Sequence, residues 1–333
     1  MCMKGFELGE GEISISPLAF ESLGVRGMSV LVETDDVSVL VDPGSALGPR
    51  FNLSPHEIEY TALVESKKRI LQAARRADIV TISHYHFDHY TPHFHDWLWL
   101  WSSPETAEKI YGGKQILVKD IAENINVAQK KRGYLFLKKS AGIADVKPAD
   151  RRTFRFGETV LRFSRPVPHG EINQGYLLML TVKTKRGTVM HASDVQGPMD
   201  ANVLKLILRE RPDLLILGGP PIYLRGFKIE SEKLERARTN MLRLCRSVGT
   251  VVVDHHLLRS ADYADFISPL AEMARLSGNR VCTASELVGL EPQLLEAHRR
   301  ELHQQRPVPR ECYKKLRETL SAGLTSSREQ GSP

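Results

Sequence analysis

Ile79-Val80-Thr81-Ile82-Ser83-His84-Tyr85-His86-Phe87-Asp88-His89 joins a short apolar run to four side chains of the metal-ligating kind. Its first four residues are uncharged, mostly β-branched and of strand length, so they read as a buried strand. Side chains alternate along an extended strand end, so His84 and His86 point the same way and can chelate one cation. Asp88 and His89 lie beyond, where the chain turns, and can reach a second cation; hydrolytic two-metal sites hold their ions ~3.5–4 Å apart. The competing reading is a solvated histidine-rich loop, and a buried strand leading straight into the motif argues against it.

Upstream, Met28 to Val32 and Val37 to Val41 are β-branched runs joined by Glu33 to Asp36, a hairpin that stops at Asp42-Pro43-Gly44. Pro55 to Ala77 has apolar residues at helical spacing, with Ser54 as N-cap and Pro55 at the first helical position. Downstream come a helix after Pro104, a strand at Gln115 to Lys119, a basic stretch of undecided structure and a strand pair around Thr153 to Phe163. A hairpin follows (Gly175 to Lys183, Gly187 to Ala192), then helix Asn202 to Arg209, strand Leu214 to Leu217, helix Ser231 to Arg246 and strand Thr250 to Val253. That order predicts a layered α/β protein. The chain has no GxGxxG and no GxxxxGK[ST], so a dinucleotide or P-loop reading has no support. Three more segments place ligand residues at strand ends or turns: Pro168-His169-Gly170, Val189 to Asp194, and Val251 to His256. Ligands arrive this way where loops gather over one rim of a sheet.

Asp42 after a hairpin strand, HxHxDH at 84 to 89, then His169, Asp194 and His255 form an ordered set that resembles the metallo-β-lactamase-fold hydrolase superfamily over roughly Met28 to Arg259. The stretches Thr91 to Trp97, Pro168 to Asn173 and Asp254 to Arg259 resemble an uncharacterised, mainly archaeal branch of predicted hydrolases with no settled substrate. The resemblance implies a four-layer αβ/βα sandwich, two mixed sheets flanked by helices. It implies two divalent metal ions: one on His84, His86 and His169, the other on Asp88, His89 and His255, with Asp194 bridging them. Asp42 then accepts a hydrogen bond from a ligand imidazole and fixes its tautomer. His255 is preferred as the last ligand because it stands four residues before Arg259, a spacing seen in the superfamily's phosphodiesterases; His256 is the alternative.

Histidine and carboxylate donors without thiolates suit zinc, and also iron or manganese. Zinc fits a hydrolase because it lowers the pKa of bound water to ~7. A hydroxide bridging the pair would be the nucleophile, with Asp88 orienting it. His256, with Asp254 as its orienting partner, and Tyr223, after the turn at Leu217 to Pro221, are candidates to protonate the leaving group. His93 and His95 read as helix-start or supporting residues and His191 as a core residue. Trp97, Trp99 and Trp101 are all the tryptophans of the chain and read either as packing or as a substrate rim.

The 333 residues are 41% hydrophobic and 26% charged, which excludes collagen, coiled coil and wholesale disorder. No apolar run approaches the ~20 residues of a membrane span. The N-terminus lacks a secretory signal and the four cysteines form no CxxC pair, so a reduced, cytoplasmic protein without a membrane partner is expected. The formal charge is +6, and Lys109 to Arg165 holds 14 Lys/Arg against five Asp/Glu. Such a segment favours an anionic substrate, a phosphate-bearing small molecule or a nucleic acid. The expected organisation is a hydrolase domain over 1–290 with a basic insert about 105–165, a basic helical extension over 291–324 and a disordered tail over 325–333. The expected function is metal-dependent hydrolysis of an anionic ester or phosphodiester. Alternatives are a thioester or lactone hydrolase, a mono-iron sulfur dioxygenase, and a non-catalytic nucleic-acid-binding protein of the same fold.

Overall fold

The structure, a computed structural model, describes residues 5–170 and 175–307. The first sheet runs in chain order: β1 (Phe6–Leu8), β2 (Ile13–Phe20), β3 (Met28–Thr34), β4 (Ser38–Val41), β5 (Ile79–Ile82), β6 (Gln115–Val118) and β7 (Asp145–Pro148). It is antiparallel through β4 and parallel from there on. The second sheet is built from β8 (Thr153–Phe156), β9 (Thr159–Phe163), β12 (Leu180–Lys183), β13 (Thr188–Ser193), β14 (Leu214–Gly218), β15 (Thr250–Asp254) and β16 (Arg280–Cys282). Its order is β16-β15-β14-β13-β12-β9-β8, and β10 (Val167–Pro168) and β11 (Tyr176–Leu177) form a separate two-stranded ribbon.

Strand alternation makes the layers. Val30, Val32, Val39 and Val41 face Leu161, Leu180, Ile216 and Val252 of the other sheet. Leu31, Leu40, Val80 and Ile82, on the opposite face, pack under α1 (Glu57–Arg76), α2 (Pro104–Tyr111) and α3 (Val127–Ser140). Leu215, Leu217, Val251 and Val253 pack under α4 (Ala201–Glu210), α5 (Ser231–Ser247) and α6 (Tyr263–Leu276). The result is the expected four-layer αβ/βα sandwich of two mixed sheets flanked by helices.

Three local expectations need correction. Helix α1 is capped by His56, not Ser54: the Glu59 side chain accepts from the His56 backbone and closes a capping box. The basic stretch left undecided is α3, capped by Asn126. Between 260 and 290, where no element was foreseen, lie α6, β16 and the short α7 (Ala284–Leu287).

Past residue 290, helix appears among the described residues only at α8 (Arg299–Gln305). This segment sends Arg299, fully buried, between Glu59 and the carbonyls of Gly48 and Leu53. Glu296 grips Arg26 at 2.6 and 2.8 Å. The rest of the expected extension and the tail lie outside the described residues.

Candidate metal centre

Strand ends aim the site. Asp42 just after β4, Ser193 at the end of β13 and His255 just after β15 all have φ in the left-handed region, 46°, 55° and 63°. A non-glycine residue there costs of order 1–3 kcal/mol, and such strain collects at functional sites. The turn after β4 is pressed against the histidine motif. A Cβ on Gly44 would lie 2.4–2.5 Å from backbone atoms of Asp88, His89 and Tyr90, so only glycine fits.

Ligand-type atoms from both sheets meet at this rim. One nitrogen each of His84, His86 and His169 lie within 4.8 Å of one another, as do donor atoms of Asp88, His89 and His255. Asp194 touches both groups: its Oδ2 is 2.6 Å from His169 Nε2 and 3.3 Å from His255 Nε2. All seven expected ligands therefore surround one hollow. Asp194 Oδ2 is also 3.0 Å from His256 Nε2, and His169, Asp194 and His256 form a further three-donor group.

The donor set fits metal ions. His89 Nε2, His255 Nε2 and Asp194 Oδ1 are buried and make no hydrogen bond within the protein, an expensive condition for polar atoms unless something else meets them. Burial opposes ionisation of Asp88 and Asp194, yet the neighbouring histidines, with Arg259 for Asp88, hold both carboxyls well below the usual range. Burial presses His255 toward the neutral form, but Glu21 and Asp194 outweigh it and favour a cation on the ring. Burial pushes His86 down to about 3, leaving it a free nitrogen donor at neutral pH.

Two carboxylates orient ligand rings. Asp42 Oδ2 is 2.8 Å from His89 Nδ1, and the same carboxylate accepts from Ser83 N at 2.7 Å and Ser83 Oγ at 2.6 Å. Glu21 Oε2 is 2.9 Å from His255 Nδ1, while its Oε1 takes Arg259 Nε at 2.6 Å. In both cases Nε2 is the nitrogen left facing the hollow, so the carboxylate selects the tautomer that can bind metal. Glu21 sits in a single 3-10 turn, Glu21–Leu23, and sequence reasoning missed it.

His256 and Tyr223 meet at the edge of the site, with Tyr223 Oη 3.1 Å from His256 Nδ1. Asp254 does not orient His256, contrary to expectation. Its carboxylate accepts the backbone N–H groups of Ser22, His255 and Ala284, which fastens the end of β15 to the turn after β2 and to α7. His191 is a core residue facing the Met28 carbonyl. His93 packs between Tyr111 and Phe136, and Trp101 is buried.

A cleft of about 420 Å³ opens beside His86 and Asp88, walled by Phe87, Phe94 and Trp99 and flanked by Arg26 and Arg132. Gly133 lets α3 settle on Tyr85, where a Cβ would come within 2.7 Å of the ring. The neighbouring Arg132 is thereby laid over Phe87, 4.5 Å from its centroid. Arg132 brings the basic segment to the cleft wall, whereas Lys130, Lys131, Lys138 and Lys139 are exposed. Arg50 stacks 4.0 Å over Tyr223. Neither Arg26 nor Arg50 was marked by the charge pattern.

The chain is 46% identical over 293 residues to the UPF0282 protein MK0213 of Methanopyrus kandleri, spanning 86% of this chain and 98% of that one. It belongs to the UPF0282 family. Another member, UPF0282 protein PH1002 of Pyrococcus horikoshii, is 43% identical over 296 residues, 87% of this chain and 93% of that one. Residues 24–91 of this family member match the metallo-beta-lactamase superfamily model. Among solved structures it is similar to a metal-dependent hydrolase of the beta-lactamase superfamily (TM-score 0.44, 18% identity, 81% of this chain and 96% of that one). It is also similar to CmlA, a diiron beta-hydroxylase from Streptomyces venezuelae (TM-score 0.48, 14% identity), covering 82% of this chain and about half, 52%, of that one. Among the described residues no helix is long and apolar enough to cross a membrane.

Proposed function

We propose that this chain is a metal-dependent hydrolase acting on an anionic ester or phosphodiester, with His84, His86 and His169 holding one divalent ion, Asp88, His89 and His255 a second, and Asp194 between them. The observation behind this reading is the set of buried donor atoms at the hollow that lack any hydrogen-bond partner in the protein. Zinc suits the donors best, with iron or manganese as alternatives. Such ions, when bound, supply a water nucleophile at neutral pH and draw charge from the scissile group.

The protein's own groups do the remaining work. Asp42 and Glu21 fix the His89 and His255 rings. Asp88, held ionised, would accept a hydrogen bond from the attacking water and so orient it. His256, linked to Tyr223 and pushed down to about 4 by burial, is neutral at the edge of the site and would serve as a hydrogen-bond partner for the substrate. Arg26 is paired with Glu296, so Arg132 is the cleft cation that favours an anion over a neutral thioester or lactone. The volume suits a small molecule or the end of a larger chain.

The test is elemental analysis of protein purified without chelator, followed by assay on bis-p-nitrophenyl phosphate and on a thioester. About two zinc, iron or manganese ions per chain and a preference for the phosphodiester are expected. A single iron with no zinc, and oxidation of a sulfur substrate, overturns the proposal in favour of a dioxygenase.

A further inference from the structure

Behind the Phe87–Phe94 wall of the cleft lies a second hollow of about 230 Å³. Tyr90, Pro92, His93, Leu135 and Phe136 add to its lining, together with the stems of Arg132 and Lys139. Phe87 and Phe94 meet edge to face at 5.6 Å and, with Arg132, line both hollows. His93 contributes no polar surface here: neither ring nitrogen has a partner or meets solvent, and burial pushes the imidazole down to about 4, so it is neutral at physiological pH. An apolar cavity of about 150 Å³ already holds a benzene ring, so this one admits a fused or substituted aryl group. Exposed Phe94 and Leu135 leave apolar surface at its border, while the cations beside it suit a ligand that is also an anion.

We propose that the substrate is an amphiphilic anion: its charged group lies in the metal-side cleft near Arg132, and an aryl or compact alkyl arm fills the hollow bounded by Phe87, Phe94 and Leu135. The inference rests on the paired-metal reading for the charged end only. It names a substrate class that neither the cleft nor the metal ligands define.

The test is calorimetric titration of the zinc-loaded full chain with methylphosphonate and with 1-naphthylmethylphosphonate, whose P–C bonds resist hydrolysis. The naphthyl compound should bind at least about tenfold more tightly. Leu135→Trp, which fills the hollow from its exposed edge, should erase that advantage and leave methylphosphonate affinity unchanged. Val127→Trp, on the same helix but away from the hollow, should preserve it. Equal affinity of the two phosphonates, or an advantage that survives Leu135→Trp, overturns the inference while the paired-metal reading stands. If neither compound binds to protein that holds two zinc ions by elemental analysis, this inference fails and the paired-metal reading stands; if the protein takes up no zinc, the paired-metal reading fails first.

Discussion

His89 and His255 face each other across the metal centre, their ring centroids 5.3 Å apart. Each has its Nδ1 held by a buried carboxylate. The two anchors differ in reach and in charge. Asp42 lies 47 residues from His89, on a neighbouring strand end of the same sheet, and its other contacts are uncharged. Glu21 lies 234 residues from His255, in the opposite half of the sandwich, and it also neutralises Arg259. One ligand is thus oriented within its own sheet, whereas the other is oriented only when the two sheets come together. Burial alone would raise both carboxyls; His89 holds Asp42 low, and His255 together with Arg259 holds Glu21 low.

The largest effect should come where the two sides meet. Asp194→Ala removes a carboxylate that touches ligands of both groups. Activity on bis-p-nitrophenyl phosphate should fall by more than the ~10²–10³ that a single stabilising donor supplies. Metal content should drop in the same preparation, and retention of both ions would remove Asp194 from the bridge.

The contrast between the anchors is sharpened by Glu21→Gln and Asp42→Asn. Each should weaken metal binding roughly 10–100-fold, read by chelator competition. Glu21→Gln should also lower the stability of the metal-free chain, by at most about 3–5 kcal/mol, because buried Arg259 loses its 2.6 Å partner and keeps only Asp88 at 3.5 Å. Asp42→Asn strands no permanent charge and should cost clearly less. Equal urea midpoints for the two variants would erase the distinction drawn here.

This contrast also separates what could be read in the sequence from what could not. His84, His86, Asp88 and His89 stand out because four ligand types crowd into six positions after an apolar strand. Asp42 is marked by the family resemblance, which places a carboxylate after the run Val37 to Val41, where the pattern alone shows only a turn at Asp42-Pro43-Gly44. Glu21 is one glutamate in an unremarkable turn, and its role exists only through contact with residues more than 200 positions away. The His56 cap was hidden for a similar reason: it depends on Glu59, which Arg299 holds from the far end of the chain. Helix α3 escaped because Val127, Tyr134 and Leu135 remain exposed and blur its apolar face. The layers themselves were readable, because strand alternation and short apolar runs carry them.

The smallest effect concerns a second tie to the far end of the chain, Glu296 to Arg26. Burial raises the Glu296 carboxyl, but Arg26 outweighs it and brings the group down to about 2. A carboxyl depressed by folding contributes stability that is complete above its ordinary value near 4.5 and is lost as pH falls toward 2. Wild type should lose at most about 3 kcal/mol over that window from this group. Glu296→Gln should flatten the slope of urea stability against pH in that range. An unchanged slope would show that the Arg26 side of the cleft does not depend on the late segment.

The pairing of Glu59 with Arg299 bears on how the molecule is made. Both side chains are fully shielded from water. Glu59 leaves the ribosome about 240 residues before the cation that meets it. Until then, the Glu59 carboxylate has the backbone N–H of His56 but no counter-charge, so closing the helix over it is costly. A chain cut short before Arg299 should therefore leave Glu59 without its buried cation, and limited proteolysis of such a product should cut it faster than the full chain.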